Sequence, residues 1–501
     1  MRDKKRGLYS LLLLVFFFLS ALAVWWLWQA LHLRDSGDSE KRAAVRTSAQ
    51  FRQKIVDRAG AVLADQAASL SVCVQHVHVP PLEQWCERIA SILTLRCEDI
   101  RSRFVSTQGF VYIKHDISEV EAARLKAAGV PGIDIMEILH RTYLDGSLFA
   151  HVIGFVDQKG RGLDGVEYQY DDILRSKSRT VFPITIERGL QNLANNVLKR
   201  QLQVFQGDSG CFVVMAIETG EILALVNIPS YDPDRYWEYE REKYPNLAIS
   251  ARLNPSFFHL FLQWISQKRA ELSSQQQIGE RLALSEPNGL TRWNAVEFGD
   301  FHLYSPWSEA EMRVMVFQQD LLSDLWGLGF GQTTGIDLPG EEAGSLPASM
   351  AGTWDAVLEQ HMEASPVQTL RAFSALINRG KLVLPHVALT ETTSSSKKVS
   401  YWDGGVVTAP RAVPLTEELG MRLREALAHE DGLPVVFAAP SPGRDDRTLQ
   451  ITALGFYPQH APVVSYIFVM DGVKRMPDQY FQLFKLVKDV AAKAARFPLD
   501  G

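Results

Sequence analysis

Hydrophobic and polar positions separate most sharply at the start of the chain. Arg2, Lys4, Lys5 and Arg6 precede an apolar run from Leu8 to about Leu31 that contains LLLLVFFFL and VWWLW and carries no charge. A run of that length is enough to cross a bilayer as a helix. Trp25, Trp26 and Trp28 near its end suit an interfacial aromatic belt, and the basic flank keeps the N-terminus cytoplasmic. A cleaved signal peptide would have a shorter core and a small-residue cleavage site. The pattern predicts a cytoplasmic tail over 1–6, one transmembrane helix over 7–33, and the bulk of the chain outside the inner (cytoplasmic) membrane, in a periplasm where there is an outer membrane.

Past a polar linker at 34–50 the periodicities change repeatedly. RFVSTQGFVYIKHD (103–116) alternates and predicts a strand pair. SEVEAARLKAAG (118–129) predicts an amphipathic helix with Ser118 as N-cap, Glu121 three residues on and Gly129 past the end. From about Arg179 a second region begins. Leu190, Leu193, Ala194, Val197, Leu198 and Leu202 recur at helical spacing. CFVVMAIETGEILALVNIP (211–229) reads as a hairpin around Glu218-Thr219-Gly220, and RTLQITALGFYPQHAPVVSYIFVMDG (447–472) as another around Pro458–Pro462. A last helix covers YFQLFKLVKDVAAKAA (480–495). A hairpin, a helical middle, a second hairpin and a final helix predict an α+β domain with one central antiparallel sheet flanked by helices. PSYDPDRYWEYEREKYPN (229–246) and TETTSSSKKVS (390–400) read as loops.

Composition narrows this only a little. At 501 residues two or three domains are expected, and a net charge of −6 gives no footprint for nucleic acid. Cys73, Cys86, Cys97 and Cys211 have no metal-ligand spacing and are too few for a disulfide scaffold. The first three leave room for one disulfide in an oxidising compartment, or for buried thiols. Cys211, inside an apolar run, reads as a buried thiol.

Several strings, in order, resemble the class B penicillin-binding proteins, the division-type peptidoglycan D,D-transpeptidase family. They are IVDRAGAVLAD (55–65), RTYLDGSLFAHVIGFVDQKGRGLDGVEYQYDDIL (141–174, with Gly154, Gly162, Gly165 and Glu167), GEILALVNIPSYDPD (220–234), GFGQTTGIDLPGE (329–341) and ASPVQTLRAFSALINRGK (364–381). The resemblance implies an elongated mixed pedestal of the dimerisation type over 34–178 and a transpeptidase-like domain over 179–501. With no glycosyltransferase domain ahead of them, it is to class B and not class A. It implies no cofactor and no metal. Its implied partners are a polytopic membrane peptidoglycan glycosyltransferase, further division or elongation proteins, and a peptidoglycan stem peptide or β-lactam in the groove.

The family's chemistry rests on S-x-x-K, S-x-N or S-D-N, and K-T-G. Ser and Lys three apart share a helix face, so the lysine can take the hydroxyl proton. The third motif lies on an edge strand and places the acyl carbonyl against its oxyanion donors. The first falls on NPSFFHLFLQWIS (254–266), with Ser256 at the nucleophile position and His259 where the lysine belongs, on a helix apolar nearly all round. His259 has two readings: a substituted general base, since Ser–His pairs catalyse acyl transfer on other folds, or a hydrogen-bonded histidine of a buried helix. The second motif falls between Tyr304 and Trp326, yet no asparagine occurs from Ala295 to Ile377; Ser305-Pro306-Trp307 and Ser308-Glu309-Ala310 do not fit. The third falls on VVFAAPSPGRDDRTLQ (435–450), and no Lys-Thr-Gly or Lys-Ser-Gly exists in the chain. Pro440 and Pro442 lack the N–H that an edge strand offers a substrate; Arg444 and Arg447 are candidate substitute cations. Ser394-Ser395-Ser396-Lys397 matches S-x-x-K but lies in a polar loop. Constellation members do not compensate one another, so the expectation is a pseudo-transpeptidase serving as a scaffold or regulatory subunit. The alternative is an active D,D-transpeptidase using Ser256 and His259.

Overall fold

The computed structural model describes, with short gaps, residues 51–261, 318–347, 362–389 and 448–497, together with strand Val435–Pro440 and a few isolated two-residue strands. The predicted membrane segment lies outside them except for Trp25, which is helical and half exposed. No helix among the described residues is long and apolar enough to cross a membrane. The chain packs into two compact units that interleave in sequence. One contains Gln66–His140; the other contains Arg52–Asp65, Arg141–Asp157 and Arg161–Gly501.

The main elements in chain order are β1 (Lys54–Val56), β2 (Val62–Gln75), α1 (Leu82–Leu93), α2 (Cys97–Ser106), β3 (Phe110–Lys114), α3 (Glu119–Ala128), β4 (Ile133–Tyr143), β5 (Val181–Pro183), α4 (Arg188–Phe205), β6 (Ser209–Ala216), β7 (Ile222–Ile228), α5 (Pro366–Ile377), β8 (Val435–Pro440), β9 (Leu449–Tyr457), β10 (Val464–Val473) and α6 (Tyr480–Ala494).

In the smaller unit the end of β2 pairs antiparallel with β3, from Val72↔Lys114 to Gln75↔Phe110. Val72, Val74, Val111 and Ile113 face α1, α2 and α3, and form a core with Trp85, Ile89, Leu93, Ile100 and Leu125. The predicted helix at 118–129 is α3. Ser118 caps the Glu121 N–H, Glu121 returns a bond from the Ser118 N–H at 2.9 Å, and Gly129 ends the helix at φ 56°. The strand pair expected at 103–116 is corrected. Arg103–Ser106 closes α2, and the partner of β3 is β2. The short alternation is met equally by the last turn of a helix followed by one strand.

In the larger unit both predicted hairpins form: β6 with β7, and β9 with β10. With β8 they make a five-stranded antiparallel sheet in the order β8-β9-β10-β6-β7. Alternate residues serve two cores. Phe212 and Val214 of β6 meet α4 and α6 through Leu198, Phe205, Phe484 and Val487. Val213 and Met215 point the other way, toward Leu370 and Phe373 of α5. Burial of both faces is why these strands read as continuous apolar runs. The loop expected at 390–400 contains the small antiparallel pair Glu391↔Val399 and Thr392↔Lys398.

A charged knot closes the larger unit where the sequence doubles back. The Arg52 guanidinium bonds to the Glu167 carboxylate, to the Glu167 carbonyl at 2.7 Å and to Asp171 at 2.6 Å. Arg141 donates to the other Glu167 oxygen at 2.7 Å and to the Gln53 carbonyl at 2.8 Å. Burial works against the Arg52 charge, but Glu167 and Asp171 outweigh it and hold its pKa above the ordinary value. Asp171 loses solvation too, yet the Gly162 N–H and Arg52 hold its carboxyl below the usual range. The glycines nearby are there for close approach. A Cβ on Gly162 would lie 1.8 Å from the Glu167 carbonyl oxygen, and one on Gly154 1.9 Å from that of Asp164.

Candidate active site

The chain approaches position 256 as an extended segment held from three sides. The Leu253 N–H donates to the Ala364 carbonyl at 3.1 Å, and Arg252 pairs with Glu363 at 3.0 Å. Gln450, buried in β9, accepts from the Asn254 N–H at 2.6 Å and donates to the Arg252 carbonyl at 3.2 Å. This clamp sits two residues before Ser256. Immediately after it, Phe257, Phe258 and Phe261 are fully buried. Phe330 receives them, with ring centroids 4.8 Å from Phe258 and 5.0 Å from Phe261. Phe330 belongs to the 329–341 string, so that string supplies the floor under the helix. Ser256 and His259 themselves lie outside the described residues.

Beside the clamp stands the sheet edge. Among the described residues β8 is the terminal strand and pairs with β9, in register from Val435↔Leu454 to Pro440↔Leu449. Ala439 is opposite Gln450, so the strand pair that forms the edge also carries the residue that holds the approach to position 256. The edge strand ends on Pro440, whose ring nitrogen carries no hydrogen. Pro442, Arg444 and Arg447 lie outside the described residues, as do Ser308, Glu309 and the Ser394–Lys397 decoy; of the 304–326 stretch only Tyr304–Ser305 and Gln318–Gly327 are described.

Sequence reasoning missed two polar residues here. Gln450 looked like one polar position in a strand. Asp337, fully buried, accepts from the Tyr170 hydroxyl at 2.6 Å, the Val387 N–H at 2.6 Å and the Ala388 N–H at 2.8 Å. Its one signal was its place in GIDLPGE; its donors come from 167 and about 50 residues away. Arg371 is a half-buried cation near this floor. Its Nε donates to the Val383 carbonyl at 2.8 Å, and burial pulls its pKa below the ordinary arginine value, partly offset by Glu341.

The described residues thus build a central antiparallel sheet with apolar residues packed against one face and the approach to position 256 tied to the strand beside its edge. Residues 48–182 match the penicillin-binding protein dimerisation domain, and residues 309–418 match the penicillin-binding protein transpeptidase domain. The chain belongs to the class B penicillin-binding proteins. Among its relatives is the "Probable peptidoglycan D,D-transpeptidase PenA" of Neisseria gonorrhoeae, 29% identical over 255 residues, which are 44% of this chain and 43% of that protein. "Stage V sporulation protein D" of Bacillus subtilis is 24% identical over 464 residues, 83% of this chain and 71% of that protein. "Peptidoglycan D,D-transpeptidase FtsI" of Escherichia coli K12 is 24% identical over 338 residues, 59% and 56% respectively. The chain thus matches less than half the length of its PenA relatives.

Proposed function

We propose that the chain is a penicillin-binding-protein homologue of peptidoglycan synthesis and cell division whose transpeptidase centre does not acylate, and which acts as a scaffold or regulatory subunit. One observation carries this reading. The edge strand whose partner strand holds Asn254 is formed, yet it reads VVFAAP and ends on a proline, where the resemblance calls for Lys-Thr-Gly. The match to the transpeptidase domain, 309–418, includes neither Ser256 nor β8. His259 in place of a lysine and the missing asparagine motif point the same way.

The first apolar run anchors the chain in the inner membrane, with its N-terminus cytoplasmic and its bulk in the periplasm. A polytopic membrane peptidoglycan glycosyltransferase packs against that anchor and the pedestal, and other division or elongation proteins bind outside. The pedestal spans 34–178 and the transpeptidase-like domain 179–501. The second reading keeps Ser256 as nucleophile and His259 as base. It draws on the D,D-transpeptidase names of the relatives PenA and FtsI.

The test is to incubate the full chain in detergent with a fluorescent penicillin and run a denaturing gel. No covalent label is expected. Label that disappears in Ser256→Ala would overturn the inactive reading.

A further inference from the structure

The stretch from 229 to 246, expected as a loop, carries five aromatic residues: Tyr231, Tyr236, Trp237, Tyr239 and Tyr244. Its middle is a short 3₁₀ helix, Pro233–Glu238. Asp232 caps that helix, accepting from the Asp234 N–H at 3.1 Å, and Pro233 is buried at its first position. Side chains fix the approach. The Ser230 hydroxyl donates to the Ser147 carbonyl at 2.8 Å, and the Tyr231 hydroxyl to the Ala150 carbonyl at 3.0 Å. Tyr231 is buried edge-on to Phe155, with centroids 5.8 Å apart. Phe155 in turn stacks on Tyr236 at 4.3 Å with planes 13° apart, and Tyr236 meets Trp237 edge-on at 5.4 Å.

This buttress ends at the surface. Trp237 is 51% exposed, and Leu163, whose N–H donates to the Phe155 carbonyl at 2.8 Å, is 37% exposed. A large ring already held in place gives up little freedom when a ligand covers it. The charges around it select the ligand. From 230 to 240 four carboxylates, Asp232, Asp234, Glu238 and Glu240, stand against one cation, Arg235, a net −3. Such a rim repels anionic lipid, nucleic acid and acidic polymers. It suits a neutral ligand with apolar faces and many O–H or N–H donors. A sugar ring meets both demands: its C–H bonds lie on the negative face of an indole, and its hydroxyls donate to carboxylates.

We propose that Trp237, backed by Tyr236 and Phe155, is a stacking platform for a glycan strand of β-1,4-linked, N-acetylated aminosugars. The choice of aminosugar rests on the peptidoglycan role proposed above. The acetamido group adds an N–H donor for the carboxylate rim and a methyl for the apolar surface at Leu163. The platform binds the strand without chemistry, so it gives a chain that does not acylate a hold on the polymer it serves.

The full chain, in a zwitterionic detergent without a sugar headgroup, is titrated with chitohexaose by calorimetry. Saturable binding is expected, weakened about tenfold or more in Trp237→Ala and largely kept in Trp237→Tyr. Because Trp237 is half exposed, both variants should keep the wild-type thermal midpoint. Hydrogen exchange on the wild-type chain should show chitohexaose protecting residues 233–238. Absent binding, affinity unchanged in Trp237→Ala, or protection confined to other segments would overturn the proposal. Equal affinity for cellohexaose, which lacks the acetamido groups, would overturn the aminosugar assignment. Self-association, or binding to phosphatidylglycerol vesicles, that is lost in Trp237→Ala with no response to the sugar would mark a second copy or the membrane as the occupant and sink the proposal. Penicillin labelling separates this inference from the reading it rests on. Label together with intact sugar binding overturns the inactive reading alone; no label and no sugar binding overturns the platform alone.

Discussion

Replacing Glu167 by glutamine tests the charged knot directly. The Arg52 and Arg141 side chains are 2% and 3% exposed, and the Glu167 side chain is 0% exposed. With Asp171, the four groups sum to zero formal charge; Glu167→Gln leaves one uncompensated guanidinium charge in that pocket. Asp171 still serves Arg52, while Arg141 keeps the Gln53 carbonyl and loses its carboxylate. A unit pair about 4 Å apart is worth about 4 kcal/mol at an effective dielectric near 20. Breaking one member of a buried pair costs about 3–5 kcal/mol. Urea unfolding followed by tryptophan fluorescence should therefore show a loss of about 3–5 kcal/mol, a large part of the roughly 5–15 kcal/mol that holds a typical domain. The loss should persist in high salt, because the pair is shielded from mobile ions. Arg96→Ala, which removes the exposed Arg96–Asp99 pair, is the control and should cost about 0–1 kcal/mol. A Glu167→Gln loss below about 1 kcal/mol would refute the account of a sealed, mutually compensated cluster.

Three other expectations follow from geometry. Gly162→Ala places a Cβ 1.8 Å from the Glu167 carbonyl oxygen, so the knot must open; a drop in soluble yield and in thermal midpoint checks it. Gln450→Met strands the Asn254 N–H at a cost of about 1–3 kcal/mol, and hydrogen exchange at Asn254 should quicken while α6 stays protected. Burial pulls the His151 imidazole down to about 4, against the pull of a Tyr244 backbone contact that raises it. A lowered histidine gives its stability in full above the unfolded value near 6.5 and loses it as pH falls toward 4. Wild type should therefore lose about 1–2 kcal/mol more than His151→Phe between pH 7.5 and pH 5. Parallel stability curves for the two would contradict the depressed value.

What could be read along the chain was local. The capping box at Ser118–Glu121, the hairpin around Gly220 and the helix at 188–205 each carry their signal within a few residues, and each forms. The glycine and glutamate spacing of 141–174 was visible as a signature but not as a mechanism. That required seeing Arg52 and Arg141 converge on Glu167 from 115 and 26 residues away. The strand pair expected at 103–116 failed because the apolar pair Phe104-Val105 at a helix end, followed closely by a true strand, reads like a first strand. At the candidate site, the apolar character of Phe257, Phe258 and Phe261 told correctly of burial, whereas Gln450 gave no warning. A glutamine that serves a backbone almost 200 residues earlier leaves no periodicity to detect.

The parallel ladder between β1 and β5, from Lys54↔Val181 to Val56↔Pro183, decides where the chain can be cut. A truncated version beginning at residue 179 would retain β5 but lose β1, along with Arg52, Arg141 and Glu167. It would bare an unpaired strand edge of the kind that recruits other chains into aggregates. Expression trials of the transpeptidase-like part should therefore start before Arg52, and should bridge residues 66 to 140 with a short linker instead of deleting everything ahead of β5.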